Sequence, residues 1–159
     1  MTFMVIHVVL YQPEIPANTA NIARTCAGTE TALHLIRPLG FSTDEKMIKQ
    51  AGLDFWETIN ITYYDSFDDF FVKNQGEFYY IETFAEKTYT SYDFTDQSKN
   101  YYFIFGKETT GLPKDLLETH KDHFLRIPMT EHIRSLNLSN TAAILVFEAL
   151  RQQGYPNLR

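Results

Sequence analysis

Met4-Val5-Ile6-His7-Val8-Val9-Leu10 is an unbroken apolar run, and Tyr11-Gln12-Pro13-Glu14-Ile15-Pro16 follows it directly. A run without polar alternation reads as a strand covered on both faces, the kind found in parallel sheets. The prolines keep the residues before them out of the helical region. A helix is expected over 17–27, with Ile22 and Cys26 facing inward and Gly28 in the C′ position. His7 inside the strand reads as a satisfied core or edge histidine.

Further along, 32–36 is the next strand and 37–40 the loop after it. Ser42-Thr43-Asp44-Glu45 has the form of an N-cap with acids in the first turn, opening a helix that carries Met47, Ile48 and Ala51 and stops at Gly52. An aromatic turn at 53–56 leads to a strand over 58–64. Ser66-Phe67-Asp68-Asp69 opens a helix to about Lys73. Strands are expected over 78–83, 101–105 and 124–127. Pro113 suits the first position of a helix reaching Leu117. Residues 84–99 read as irregular, and 139–153 as the last helix.

The order β-α-β-α-β-α-β-β-α-β-α points to an α/β fold, a mostly parallel sheet with helices on both faces. In such sheets ligands bind beyond the C-terminal ends of the strands. Three polar loops follow strands, at 11–19, 106–112 and 129–140, and 83–87 is a candidate fourth.

The length of 159 residues suits one domain, 1–159, large enough to bury a core without disulfides. Thirteen Phe and ten Tyr supply that core. The single Cys26 rules out an intramolecular disulfide framework. There is no secretory leader pattern and no 18-residue apolar run, so the expectation is a protein of the cytoplasm with no membrane partner. The net charge of −6 argues against sequence-blind nucleic-acid binding. The acids crowd into the middle third, which leaves room for a small basic site elsewhere.

Within the loops, His132-Ile133-Arg134-Ser135-Leu136-Asn137-Leu138-Ser139-Asn140-Thr141 runs straight into an apolar helix. A helix N-terminus offers unpaired N–H groups and a positive dipole end, so the loop serves a cap, an anionic ligand or both. Ser139 or Asn140 is the expected cap. The helix itself is apolar nearly all round until Glu148 and Arg151, which calls for burial on more than one side and hence a subunit interface.

Gly106-Lys107-Glu108-Thr109-Thr110-Gly111-Leu112 has two glycines that permit close backbone approach. It is not a phosphate loop of the Walker type, because Leu112 and Pro113 stand where Lys and Ser or Thr are needed. No Gly-x-Gly-x-x-Gly occurs either. Asn21 and Arg24 lie three apart on one side of a helix, and the arginine fork suits either a phosphate or a structural carboxylate. His120 and His123 lack further ligands nearby, so no metal is expected. Cys26 reads as core, not nucleophile.

Together, residues 21–24, 105–112 and 134–140 resemble the three motifs of the SPOUT RNA 2′-O-methyltransferases. The chain is most similar to the small, single-domain tRNA (cytidine/uridine-34)-2′-O-methyltransferases. Residues 10–19, 51–54 and 154–156 extend the resemblance over nearly the whole chain. It implies a deep trefoil knot in the C-terminal part, against the general rule that chains do not thread loops. It also implies a homodimer, S-adenosylmethionine as cofactor and the tRNA anticodon stem-loop as partner. Carried over by position, Gly106, Ile127 and Ser135 match cofactor contacts, with a further contact at Ile81 or Thr83. Arg24, Glu108, Ser135 and Asn140 match the catalytic set. Lys107 stands where many members have Pro and Thr110 where many have Arg, which affects a contact to RNA or the partner subunit.

The reaction so implied is methyl transfer to the ribose 2′-oxygen of nucleotide 34. The hydroxyl must lie in line with the methyl at ~3 Å. Arginine, with a pKa near ~12 or above, is a poor base, so Arg24 is expected to position the substrate while a phosphate or water takes the proton. Glu108 is expected to anchor Arg24 or a loop amide. The alternatives are a 2′-O-methyltransferase acting on another tRNA position or on rRNA, or a non-catalytic RNA-binding member of the fold. The first of these usually carries an extra RNA-binding domain, and the apolar runs here begin at Met4.

Overall fold

The computed structural model describes residues 5–41 and 59–159. In chain order the strands are β1 (Ile6–Tyr11), β2 (Ala32–Ile36), β3 (Ile61–Tyr64), β4 (Glu77–Ile81), β5 (Lys87–Thr88), β6 (Tyr101–Phe105) and β7 (Phe124–Arg126). The helices are α1 (Pro16–Thr29), α2 (Phe67–Lys73), α3 (Lys114–His120) and α4 (Leu138–Gln152), with a 3₁₀ turn at Lys121–His123. The helix expected from Ser42, with Met47, Ile48, Ala51 and Gly52, and the turn at 53–56 lie outside the described residues.

The strands form one seven-stranded sheet in the order β3-β2-β1-β6-β4-β7-β5. Every pairing is parallel. β1, β2 and β6, buried along nearly their whole length, take inner positions, where both faces need covering. Alternate residues of each strand divide between two cores. Val8, Leu10, Phe103 and Phe105 pack with Ile22, Cys26, Leu145 and Ala149 of α1 and α4. On the other face Val9, Tyr80, Tyr102 and Ile104 pack with Phe70 of α2 and Leu116 of α3. The sheet order and the packing of α4 against α1, β1 and β6 fit the knotted fold that the resemblance implies.

Several boundaries differ from expectation for identifiable reasons. α1 runs through Gly28 and ends on Glu30, which takes the left-handed conformation at φ 55°. Thr29 donates its hydroxyl to the Thr25 carbonyl and Thr31 N–H to the Cys26 carbonyl, so the last turn is satisfied without a glycine. Pro113 is the N-cap of α3, one position before the first helical residue. β5 is two residues long, too short to show in an irregular polar stretch. α4 begins at Leu138, and its cap is Asn137 in place of Ser139 or Asn140.

Candidate active site

The register of the sheet explains why distant loops meet. Leu10 of β1 pairs with Phe105 of β6, Phe105 with Ile81 of β4, and Ile81 with Leu125 of β7. Four strands therefore end in one row, and the chain changes direction among them, since β6 lies between β1 and β4. Such a switch point leaves a crevice beyond the strand ends.

The loop after β6 closes on itself. Lys107 and Gly111 exchange backbone hydrogen bonds of 3.2 and 2.9 Å. A Cβ on Gly106 would lie 2.2 Å from the Gly111 carbonyl carbon, so the close approach that glycine permits here is to the loop's own backbone. Gly111 adopts φ +74°, and its missing side chain leaves room for the Glu82 carboxylate. Glu82 Oε1 accepts the Leu112 N–H at 2.7 Å. Burial raises the Glu82 carboxyl above the ordinary carboxylate range.

Two glutamates clasp this loop to the one after β1. Glu108 accepts the backbone N–H groups of Glu14 at 2.9 Å and Ile15 at 3.3 Å. Glu14 in return accepts the Thr109 hydroxyl at 2.7 Å and the Thr109 N–H at 3.2 Å. These bonds favour the ionised form and lower the Glu14 carboxyl, with Lys107 adding a smaller effect. Glu108 thus anchors loop amides, one of the two roles expected of it. The bonded N–H groups stand just before Pro16, which opens α1, so the clasp also fixes where α1 starts.

The loop after β7 is tied down by Asn137. Its side-chain oxygen accepts the N–H groups of Ser139 at 2.9 Å and Asn140 at 3.4 Å, which satisfies two of the orphan donors of α4. Its amide donates to Asn18 Oδ1 on α1 at 3.0 Å. The N-terminal end of α1 is thereby joined to both loops. Asn137, Asn18, Glu14 and Glu82 were not singled out from sequence. The signal for Asn137 was present in Asn137-Leu138-Ser139-Asn140, where three residues of capping type compete.

Between the loops lies a cavity of about 510 Å³. Ile81, Thr83, Gly106, Glu108, Ile127 and Ser135 all line it, as do Glu82 and Asn137. Arg24 and Asn140 do not. Arg24 is exposed on α1, six residues beyond Asn18, which at ~1.5 Å per residue is about 9 Å along the helix. Asn140 is exposed in the first turn of α4.

The remaining polar residues found structural places. His7 Nδ1 lies 2.9 Å from His34 Nε2, and His34 Nδ1 lies 2.8 Å from the Tyr64 hydroxyl. Cys26 is buried, which pushes its thiol up to about 12. His120 stacks on Tyr80, and His123 bonds the Phe78 carbonyl. Among the described residues no group of three His, Cys, Asp or Glu is placed to hold a metal, and no helix is long and apolar enough to cross a membrane.

The model of the SpoU rRNA Methylase family matches residues 5–147, which takes in the sheet and all of the cavity loops. The chain belongs to this family. A Geobacillus stearothermophilus relative, provisionally named a tRNA (cytidine(34)-2′-O)-methyltransferase, is 70% identical over 98% of this chain and 99% of its own. A Bacillus anthracis crystal structure, provisionally an RNA methyltransferase, is 64% identical with a TM-score of 0.94, covering 96% of this chain and 97% of that one. A solved structure concerned with 2-OH methylation of C/U34 on tRNA is 38% identical with a TM-score of 0.84, covering 94% and 96%.

Proposed function

We propose that this chain is a tRNA methyltransferase acting on the ribose 2′-oxygen of nucleotide 34, cytidine or modified uridine, with S-adenosylmethionine as methyl donor. The observation that carries this reading is the convergence of Ile81, Thr83, Gly106, Ile127 and Ser135 on one cavity. The choice of nucleotide 34 rests on the named relatives.

The residues present fit that cofactor. The cavity volume falls within the ~300–1,000 Å³ of small-molecule sites, and its apolar wall of Ile81, Phe84, Leu117, Phe124 and Ile127 suits an adenine ring. Ser135, Thr109 and the exposed backbone of the loops offer polar partners for the amino-acid end. When bound, the cofactor supplies a methyl group on a sulfonium sulfur. Arg24 holds the RNA, with its fork on a phosphate or the ribose, and so places the hydroxyl oxygen. The oxygen so placed would take the methyl as the S–CH₃ bond breaks with its electron pair left on sulfur, and the hydroxyl proton would go to a phosphate or water. Glu108 positions the start of α1, the helix that carries Arg24.

The acting unit is a homodimer of single domains, 1–159, in the cytoplasm. α4 buries Ala142, Leu145, Val146, Ala149 and Leu150 within its own subunit. Phe147 on that helix is 46% exposed, and Ile15 near the clasp 44%. An acidic chain reaches enough basic surface only by pooling two subunits, so tRNA affinity is expected to fall with salt on a modest slope.

The test is methyl transfer from labelled cofactor to bulk tRNA lacking the modification, followed by nuclease digestion and mass mapping. One 2′-O-methyl group at nucleotide 34 is expected. Methylation confined to another tRNA position or to rRNA contradicts the choice of nucleotide. Cofactor binding without transfer to any RNA contradicts the enzyme reading.

A further inference from the structure

Glu82 is the one carboxylate on the cavity wall that neither clasps the β1 loop nor has an ion-pair partner among the described residues. Its backbone is fixed, since Glu82 N–H donates to the Leu125 carbonyl at 3.0 Å and its own carbonyl accepts from Ala85 at 3.3 Å. Its side chain is fixed as well. Leu112 N–H holds Oε1 at 2.7 Å, and a Cβ on Gly111 would come within 2.5 Å of that oxygen. Both Gly111 and the register of β4 against β7 thus serve to bring this carboxylate to the cavity.

The placement is costly unless something repays it. Ile81, Phe84, Leu112 and Phe124 make much of this wall apolar, and Phe84 stacks on Phe124 at 5.9 Å. A carboxylate without a cation in such surroundings loses hydration, and burial raises its affinity for a proton accordingly. One carboxylate offers about four acceptor sites, so the Leu112 and Thr83 amides together leave capacity to spare. A ligand with paired O–H donors would use it.

We infer that Glu82 reads the ribose of the cofactor, accepting hydrogen bonds from its 2′- and 3′-hydroxyls. The inference rests on the cofactor proposed above. An acidic side chain on a ribose hydroxyl is a recurrent solution in nucleotide sites of other folds. The competing role, a counter-charge to the sulfonium, is disfavoured by chemistry. The sulfonium loses its charge as the methyl leaves, so a carboxylate beside it would stabilise the ground state over the transition state. A carboxylate there is also a nucleophile that would itself accept the methyl.

Calorimetry with S-adenosylhomocysteine and its 2′,3′-dideoxy analogue tests this on the full chain. Hydrogen bonds to a charged group predict that wild type binds the dideoxy analogue at least about tenfold more weakly. Glu82→Gln keeps an acceptor for Leu112 and so keeps the loop. It is expected to bind the homocysteine compound about tenfold more weakly and to discriminate the analogue by less than about threefold. If Glu82→Gln weakens both ligands equally, Glu82 is a loop brace and the inference fails. If it instead changes the ratio of S-adenosylmethionine to S-adenosylhomocysteine affinity, the sulfonium role is right and the inference fails. Failure of wild type to bind either compound overturns the cofactor reading, and the inference with it.

Discussion

Two polar clusters share this sheet, one within the core that α2 covers and one beyond the strand ends, and they are built on different logic. On the face that α2 covers, His7, His34, Tyr64, Asn74, Asn100 and Tyr102 form a continuous hydrogen-bonded chain. His7 Nε2 meets Asn100 Oδ1 at 3.0 Å, and Asn74 donates to the Tyr64 hydroxyl at 3.1 Å and accepts from Tyr102 at 3.3 Å. His7 and His34 are 8% and 5% exposed. Beyond the C-terminal ends, Glu14, Glu108, Glu82, Asn18 and Asn137 bond mainly to loop backbone and stand around a cavity. The first cluster satisfies itself and holds the sheet. The second spends its bonds on shaping loops and leaves a space for something else. Burial and hydrogen bonding alone do not mark function, and what separates the two clusters is the cavity.

Substitutions can break this contrast in either direction. The largest effect is expected at Gly106, where Ala overlaps the Gly111 backbone. Affinity for S-adenosylhomocysteine should fall about 100-fold, read by calorimetry, because the loop must open. Arg24→Lys comes next. Loss of the planar fork should lower turnover about tenfold or more while cofactor affinity stays within about twofold, and near-wild-type kcat would remove the positioning role. Glu108→Ala frees two loop amides and should lower turnover about tenfold with cofactor affinity within about threefold. Lost cofactor binding in calorimetry would mean that the clasp serves the cofactor loop more than α1.

In the first cluster the pattern should invert. Tyr64→Phe leaves His34 and Asn74 short of a partner and should cost about 1–3 kcal/mol in chemical unfolding, with cofactor affinity unchanged. The smallest effect is on pH. Burial, with the neighbouring His7 adding to it, pushes His34 down to about 3 from its ordinary 6.5. A depressed histidine contributes stability that is fully present above pH 6.5 and is lost as pH falls from there towards 3. The slope is at most about 1.4 kcal/mol per pH unit for one proton. Unfolding free energies measured between pH 7 and 5 should fall accordingly in wild type and flatten in His34→Phe.

Strands β2 and β6 were legible to the residue, because their apolar runs are bounded by turn residues and polar positions. The order of strands was not, since parallel pairing is decided by long-range packing that periodicity does not encode. The three loops could be named in advance, and the motif resemblance assigned the cavity residues that the structure brings together. The cap of α4 went to Asn137 because its side chain also reaches Asn18, 119 residues away in sequence, which no local rule weighs. Glu82 looked like one more acid in an acidic stretch, and its setting appears only once Gly111 and Leu112 fold back on it. Arg24 read as a fork for a phosphate or a structural carboxylate, yet in the single subunit it is exposed and off the cavity. The proposed dimer, by bringing a second surface to the site, would reconcile the two.

The most direct test of the reaction uses the purified protein, methyl-labelled S-adenosylmethionine and two synthetic anticodon stem-loops that differ only in the sugar of nucleotide 34. Label should enter the stem-loop with a ribose at that nucleotide and stay out of the one with 2′-deoxyribose. Equal labelling of both would place the methyl elsewhere and contradict 2′-oxygen transfer at nucleotide 34.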